Sequence, residues 1–506
     1  MSVLFLRELL NKKKLKNHSE PKPISVIFQQ ASKSSDFHQF SPIENQDKIL
    51  ISYYKTMVDA EKINRLLLPA IQKNVEIIKH LNDIKNIIPF DDINVTSNTS
   101  DLEKRLMKGY VIIQLKELDN NYLTVNVENG NLGYRQNNDT ENEFSVVGPN
   151  IGFVENIDTN IHLLRKQIAI PELVFEEITM GSMSKTKVVI AYLDGITNPQ
   201  HIQTLRQRLM NIDFDVIFDS SQIDQMISDN SNTPFPIFLS TERIDRVTYA
   251  VINGQVAILT NGSPYVVTGP STLMDFFISP EDYYLPWIVG SFFRIIRIIG
   301  VIFSIFATPL YVAVLTYHYE VIPGDLLGPL ISSRANVPFP PVLEVIFLEI
   351  TIELLREAGA RLPTKIGQTL GIVGGIVIGQ AAVEAALTSN ILLIIVALSA
   401  LASFTTPIFK MSNTVRLLRF PFIVVSAFWG GFGIVIGFIF LLGHLLRLKS
   451  LGTPYLVPLY PFRIKNFRDS FIRSSNQYTT TRSKFLKPLS LRRYTPHQDK
   501  EDLNNE

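Results

Sequence analysis

The sequence predicts a multi-domain protein in which a mixed α/β (α+β) region of cytoplasmic character precedes an α-helical polytopic membrane domain. Two observations carry this. The 506 residues balance to a charge of +1, yet those up to about 285 are rich in Asn, Asp, Lys and Glu, whereas 288–446 holds long runs without formal charge. Within that second half, Gly367, Gly371, Gly375 and Gly379 recur every four residues beside Gln380 and Glu384. On a helix the glycines form one stripe without side chains, against which another backbone can approach closely. A carboxylate at that depth in lipid costs on the order of 3 kcal/mol, so Glu384 should face protein or water.

From the N-terminus, MSVLFLRELLNKKKLKNHSEPKP starts apolar and then carries Lys12, Lys13, Lys14 and Lys16, the reverse of a secretory signal. Residues 1–45 are expected to form a basic flexible tail. A first cytoplasmic subdomain over 46–145 begins with a helical pattern at 48–81 and a second helix at 102–108, then offers the strand-like runs YVIIQL and YLTVNVENG. The polar run NGNLGYRQNNDTENE marks a boundary. A second α/β subdomain over 146–285 opens with a helix at 155–168. The buried-strand pattern KVVIAYLDG follows, then a helix at 199–211, a strand at 215–218 and a helix at 222–228. VTYAVINGQVAIL reads as a hairpin turning at Asn253 and Gly254.

The membrane domain is expected over 286–447, with about four spanning helices. Tyr283, Tyr284 and Trp287, followed by Arg294 and Arg297, suit a chain entering the headgroup layer. Residues 298–319 lack Asp, Glu, Lys and Arg over a length sufficient to span. Charge-poor segments at 366–383, 385–409 and 420–446 supply the other spans, the last with Gly433 and Gly437 as a second small-residue spacing. Between the first and second spans, a helix starting at Pro341 carries Glu349, Glu353 and Glu357 at four-residue intervals, with Glu344 upstream. It should be amphipathic, lying at an interface or lining a polar vestibule. The basic tail 448–506 has 11 Lys or Arg between 447 and 498 against Asp469 alone, which favours the cytoplasmic side and contact with anionic lipid. Orientation stays in conflict: four crossings return the tail inside but leave Lys410, Arg416 and Arg419 outside, and a crossing by the Glu-rich helix reverses the problem.

The absence of cysteine removes disulfides, thiolate metal sites and cysteine nucleophiles. The eight histidines show no helical metal spacing, so no metal site is expected. GIVGGIVIG lacks a Walker Lys-Ser/Thr ending, and Ser182, Ser184 and Ser291 lack a nucleophile-elbow context. Nothing points to an enzyme, a cofactor or nucleic acid. The acidic residues carry the chemistry instead. Glu344, Glu349, Glu353, Gln380 and Glu384 are candidates for an ion path, since a ring of carboxylates made by oligomer symmetry concentrates cations at a pore mouth. For Gln380 and Glu384 the competing reading is an ordinary hydrogen bond between helices. For the Glu stripe it is a solvated face paired with Arg356 and Arg361. Gly367, Gly371, Gly375, Gly379, Gly433 and Gly437 are the candidates for close helix contact.

The motifs GPNIGFVENIDTNIHLLR (148–165), SKTKVVIAYLDGITNP (184–199), PFP with STERIDRV (234–247), SPEDYY (279–284), LEVIFLEITIELLREAGARLP, the glycine segment and NTVRLLRFP (413–421) occur in that order. Over about 148–458 the chain resembles the A subunit of the GerA-type spore germination receptors. That resemblance implies a nutrient receptor in the inner membrane of the spore, working with a transporter-like B subunit that binds the germinant and a lipoprotein C subunit. It also implies self-association into a ligand-gated cation channel. A non-conducting membrane scaffold is the alternative, and secondary transport is weaker because no repeated half carries a matching broken helix.

Overall fold

Between 24 and 269 the chain lays down one order of elements twice. The computed structural model describes residues 23–42, 48–115, 121–129, 147–361, 375, 377–462, 467, 469–475 and 479–493. The first module runs α1 (Ile24–Ala31), β1 (Phe37–Phe40), β2 (Ile49–Tyr54), α2 (Leu68–Lys73), α3 (Leu81–Ile87), β3 (Ile93–Thr96), α4 (Thr99–Met107), β4 (Tyr110–Leu115) and β5 (Tyr122–Asn126). The second repeats this as α5 (Ile157–Gln167), β6 (Leu173–Met180), β7 (Thr186–Leu193), α6 (Pro199–Met210), α7 (Ser220–Ile227), β8 (Leu239–Thr241), α8 (Ile244–Ile252), β9 (Val256–Thr260) and β10 (Val266–Gly269). The sheets are antiparallel with matching strand orders, β1-β2-β4-β5-β3 and β6-β7-β9-β10-β8.

Strand alternation buries both faces of each sheet. In the first module Val111, Ile113, Leu123 and Val125 face α2 and α3, while Ile112 and Tyr122 face α1 and α4. In the second, Val189, Ala191, Ala257 and Leu259 face α5 and α8, while Val188, Ile190, Val256 and Ile258 face α6 and α7. Asparagine side chains start three of these helices: Asn98, Asn156 and Asn198 accept from backbone N–H groups of the first turn. Gly109 makes the turn from α4 into β4 at φ +88°, where a Cβ would stand 2.5 Å from the Met57 carbonyl oxygen.

A buried charge rivets the modules together. Arg165 on α5, 0% exposed, donates to both oxygens of Asp36 at 2.8 and 2.7 Å and to Ser34 Oγ at 3.0 Å. Its guanidinium stacks 3.9 Å from the Tyr54 ring centroid and 4.9 Å from that of Phe175. A carboxylate, a hydroxyl and two aromatic faces surround this cation, while its Nη1 has no hydrogen-bond partner among the described residues.

Several sequence expectations need correction. The segment expected as a tail contributes α1 and β1 to the first module from residue 24 onward. The helical pattern over 48–81 opens instead with β2, because ILISYY pairs with β1 and β4; helix begins at Ala60–Lys62 and passes through a π-turn at Ile63–Leu67 into α2. Residues 215–218 form no strand: the Asp215 carbonyl accepts from Met183 and Ser184, and Ile217 packs into the core without a ladder. VTYAVI is α8, not half a hairpin. Ile244, Val247, Ala250 and Val251 are its buried side, a 3.6-residue pattern that overrides β-branched propensity, and Gly254 follows at φ +97°. The polar boundary run beyond Asn129 lies outside the described residues.

After the second module come α9 (Trp287–Tyr317), α10 (Gly324–Arg334), α11 (Pro341–Arg361), α12 (Asn390–Ser403) and α13 (Phe409–Arg447). Among the described residues α9 and α13 are long and apolar enough to cross a membrane, and α12 is a shorter apolar helix of 14 residues. The expected span at 385–409 thus shrinks to α12, and most of that at 366–383 lies outside the described residues.

α13 is not one rod. Gly430 breaks it at φ 60°, ψ −139°, and a Cβ on Gly437 would stand 2.9 Å from the Phe422 ring, although fifteen helical residues span ~22 Å. A Cβ on Gly433 would likewise meet the Val425 carbonyl oxygen. The segment therefore folds back on itself as a hairpin, and the expected span at 420–446 contains its turn. Tyr317 Oη closes the tip by donating to the Ala427 and Phe428 carbonyls at 3.0 Å each.

Candidate functional site

Both feet of the α13 hairpin stand on the second module. At the first, Lys410 Nζ lies 2.7 Å from Asp224 Oδ2 on α7, and Thr414 Oγ1 donates to the Pro234 carbonyl at 2.5 Å. At the second, His444 Nε2 is 2.9 Å from Thr233 Oγ1 and its ring lies against Phe235. Burial raises the Asp224 carboxyl above its ordinary range, and Lys410 pulls it back. The apolar face of β7 and β9 that covers α6 and α7 continues through Ile408, Met411, Val415, Phe422 and Leu445 into one cluster with the hairpin. Soluble and apolar regions thus share a core.

The root of α9 is equally fixed. Arg294 and Arg297, expected to meet headgroups, both bind Asp282 of the SPEDYY motif, at 3.1 and 3.2 Å. Arg294 Nη1 also donates to the Asp469 carbonyl at 2.7 Å. Asp469 accepts from Tyr249 and Tyr283 at 3.1 and 3.0 Å, Arg482 donates to the Ile252 carbonyl at 2.7 Å, and Tyr455 Oη to that of Pro236 at 2.8 Å. The described part of the basic tail is therefore stitched onto the second module, with Arg473 and Arg482 buried.

Inside the apolar half, α11 presents its carboxylates to arginines of the same chain. Glu344 is 0% exposed; it accepts from the Ser389 N–H at 2.6 Å and lies 3.4 Å from Arg334 Nε. Glu349, 1% exposed, pairs with Arg419 Nη1 at 2.5 Å. Arg419 reaches across to α9 and α12, donating to Ser304 O at 2.9 Å, Ser304 Oγ at 2.7 Å and Ser399 O at 3.3 Å. Glu353 is half-buried between Arg356 at 3.3 Å and Arg416 at 3.7 Å. The result is a ladder of three acids neutralised by arginines that ties α9, α11, α12 and the first arm of α13 together. Removing one partner of such a buried pair typically costs ~3–5 kcal/mol, because the other charge is stranded.

The second acidic stripe differs. Gln380 Nε2 donates to Glu384 Oε1 at 2.8 Å, and both residues are exposed. Of the glycine stripe, Gly375 is exposed and Gly379 faces Leu393, while Gly367 and Gly371 lie outside the described residues. Gly433 and Gly437 make close helix contacts inside the α13 hairpin. Sequence reasoning missed Arg334 and Arg419 as partners of the stripe. The available signal was that a cation inside NTVRLLRFP cannot stand unpaired in an apolar layer, so a carboxylate had to meet it.

An α/β module that shares its core with apolar helices defines a membrane-associated protein. The chain belongs to the family described as Bacillus/Clostridium GerA spore germination protein, which it matches over residues 24–485, and within it to the A subunits of spore germination receptors. It is 46% identical over 477 residues to spore germination protein GerQA of Bacillus cereus, covering 94% of this chain and 95% of that one. It is 48% identical over 468 residues to spore germination protein GerIA of the same organism (92% and 70%), and 37% identical over 421 residues to spore germination protein A1 of Bacillus subtilis (83% and 86%). Among solved structures, the N-terminal domain of the A subunit of the Bacillus megaterium spore germinant receptor GerK3 matches at 27% identity, with a TM-score of 0.37, over 49% of this chain and 94% of that one.

Proposed function

We propose that this chain works in a nutrient receptor that triggers germination, alongside a transporter-like B subunit and a lipoprotein C subunit. In this reading it self-associates into a ligand-gated cation channel in the inner spore membrane, with its two α/β modules on the cytoplasmic side. The observation that carries the coupling is the core shared by the second module and the α13 hairpin, through which a shift in one displaces the other. A hairpin with both feet on that module also supports the orientation. It keeps Lys410, Arg416, Arg419 and the C-terminal segment on one side, in accord with the positive-inside bias.

Ion-path roles divide between the two acidic stripes. Glu344, Glu349 and Glu353 already have arginine partners and serve as helix-to-helix ties whose exchange would accompany gating. Gln380 and Glu384 are exposed and available to line a path between copies. Germinant-triggered potassium release from spores carrying Glu384→Gln tests this; unchanged release at normal protein levels removes Glu384 from the path. The sealed Glu344 and Glu349 also favour a second reading, a non-conducting scaffold that transmits the signal. Purified oligomer in a planar bilayer separates the two, since a scaffold passes no current under any ligand condition.

A further inference from the structure

A groove of about 680 Å³ separates the start of α6 from the C-terminal segment. Asn198, His201 and Thr204 line one wall, and Gly452, Thr453 and Lys487 line the other. His201 is 6% exposed, and its Nδ1 is sealed without any hydrogen-bond partner. Its Nε2 is not among the sealed atoms, and the residue lines the groove. With Nδ1 shut away from any acceptor, the neutral ring best carries its proton on Nε2 as a free donor. Burial and the charge of Lys487 push its pKa down to about 4, which keeps the ring neutral near pH 7.

The surroundings share one electrostatic sign. Lys487 is exposed and held at φ 48°. α6 flanks the groove along its side from Asn198 to Gln207, and its first-turn N–H groups are already taken: Asn198 Oδ1 accepts from Gln200, and the Asn198 carbonyl from His201 and Ile202. Among the described residues no carboxylate lines the groove. A site with an ammonium and an idle N–H donor, but no acid, is complementary to an oxygen anion.

We propose that this groove binds a small oxyanion, a phosphate or carboxylate group, held by the Lys487 ammonium and the His201 ring N–H. Because Lys487 belongs to the C-terminal segment and His201 to the second module, the bound anion clamps one onto the other.

The test is calorimetric titration of the purified full-length chain in detergent at pH 7, with inorganic phosphate and acetate as the two probes. Saturable binding of at least one is expected, weakened about tenfold or more in Lys487→Ala and in His201→Phe. Lys487 is exposed, so its variant keeps the test valid if the His201 variant does not fold. Repeating the titration in phosphatidylglycerol nanodiscs distinguishes sources: binding lost there assigns the groove to a lipid headgroup, and binding retained assigns it to a soluble anion. Absence of saturable binding with either probe, or equal affinity in Lys487→Ala, overturns the proposal.

Discussion

The two α/β modules share strand order and helix placement, yet only the second is joined to the apolar helices. In the first, the cluster beneath β2, β4 and β5 ends at α2 and α3. In the second, the matching cluster beneath β7 and β9 runs past α6 and α7 into α13 and the C-terminal segment. One topology thus serves as a closed domain in one copy and as a platform in the other. What distinguishes them is the chemistry of one face: Asp224, Thr233 and Phe235 bind the hairpin's feet, and Asp36 with Arg165 passes the first module's position to the second.

The largest effects should come from stranding buried charges. Arg165→Met leaves Asp36 buried at the module junction, and Arg419→Met leaves Glu349 buried among helices; each should lower stability by ~3–5 kcal/mol in thermal unfolding of the purified chain. Pairing each with an apolar replacement of its carboxylate should recover much of the loss. Full stability in either single variant would show that the pair does not hold the structure together.

Next come matched truncations on equivalent strands. Ile113→Ala on β4 and Ile258→Ala on β9 each open a core cavity, at ~2–5 kcal/mol. Hydrogen exchange should then separate the modules: Ile258→Ala should speed exchange in 409–447, and Ile113→Ala should not. Equal effects on the hairpin would erase the distinction drawn between the two platforms.

Smaller effects test the feet and the groove. Lys410→Met should cost ~1 kcal/mol or less, because the pair is only partly buried. Burial raises the Asp224 carboxyl, so the native state holds its proton longer than the unfolded chain, and stability falls as pH rises past 3.8. Losing Lys410 should steepen that fall. His201 has the opposite sign of dependence. Its folded pKa of about 4 lies below 6.5, so the unfolded chain takes up the proton first and stability drops as pH falls from 6.5 towards 4. His201→Gln should flatten that drop, read as a reduced difference in Tm between pH 7 and pH 5.

Periodicity made some of this architecture legible and hid the rest. YVIIQL, KVVIAYLDG and the 155–168 helix read true because burial on one element sufficed to set their pattern. ILISYY and VTYAVI misled because their state is set by neighbours distant in sequence, β4 for one and the core under β9 for the other. The repeat of module topology left no visible sequence period, since a fold constrains which positions are apolar far more than which residues fill them. At the candidate site, spacing correctly placed Glu344 and Glu349 on a helix among apolar neighbours but could not reveal that Arg334 and Arg419 meet them. Helical spacing reports a face, whereas a partner is fixed by tertiary approach. The orientation conflict arose from reading 420–446 as a crossing; Gly430 instead turns the chain back, so that Lys410 and His444 both meet the second module.

That turn is most directly measured by the distance between its feet. The chain contains no cysteine, so Phe409→Cys and Leu446→Cys, both at exposed positions, accept spin labels without background. For packed arms with an interaxial distance of ~10 Å, double electron-electron resonance in nanodiscs should give ~25 Å between labels. A continuous helix over the same 37 residue steps would hold them ~55 Å apart, and that distance would contradict the hairpin and the shared platform built upon it.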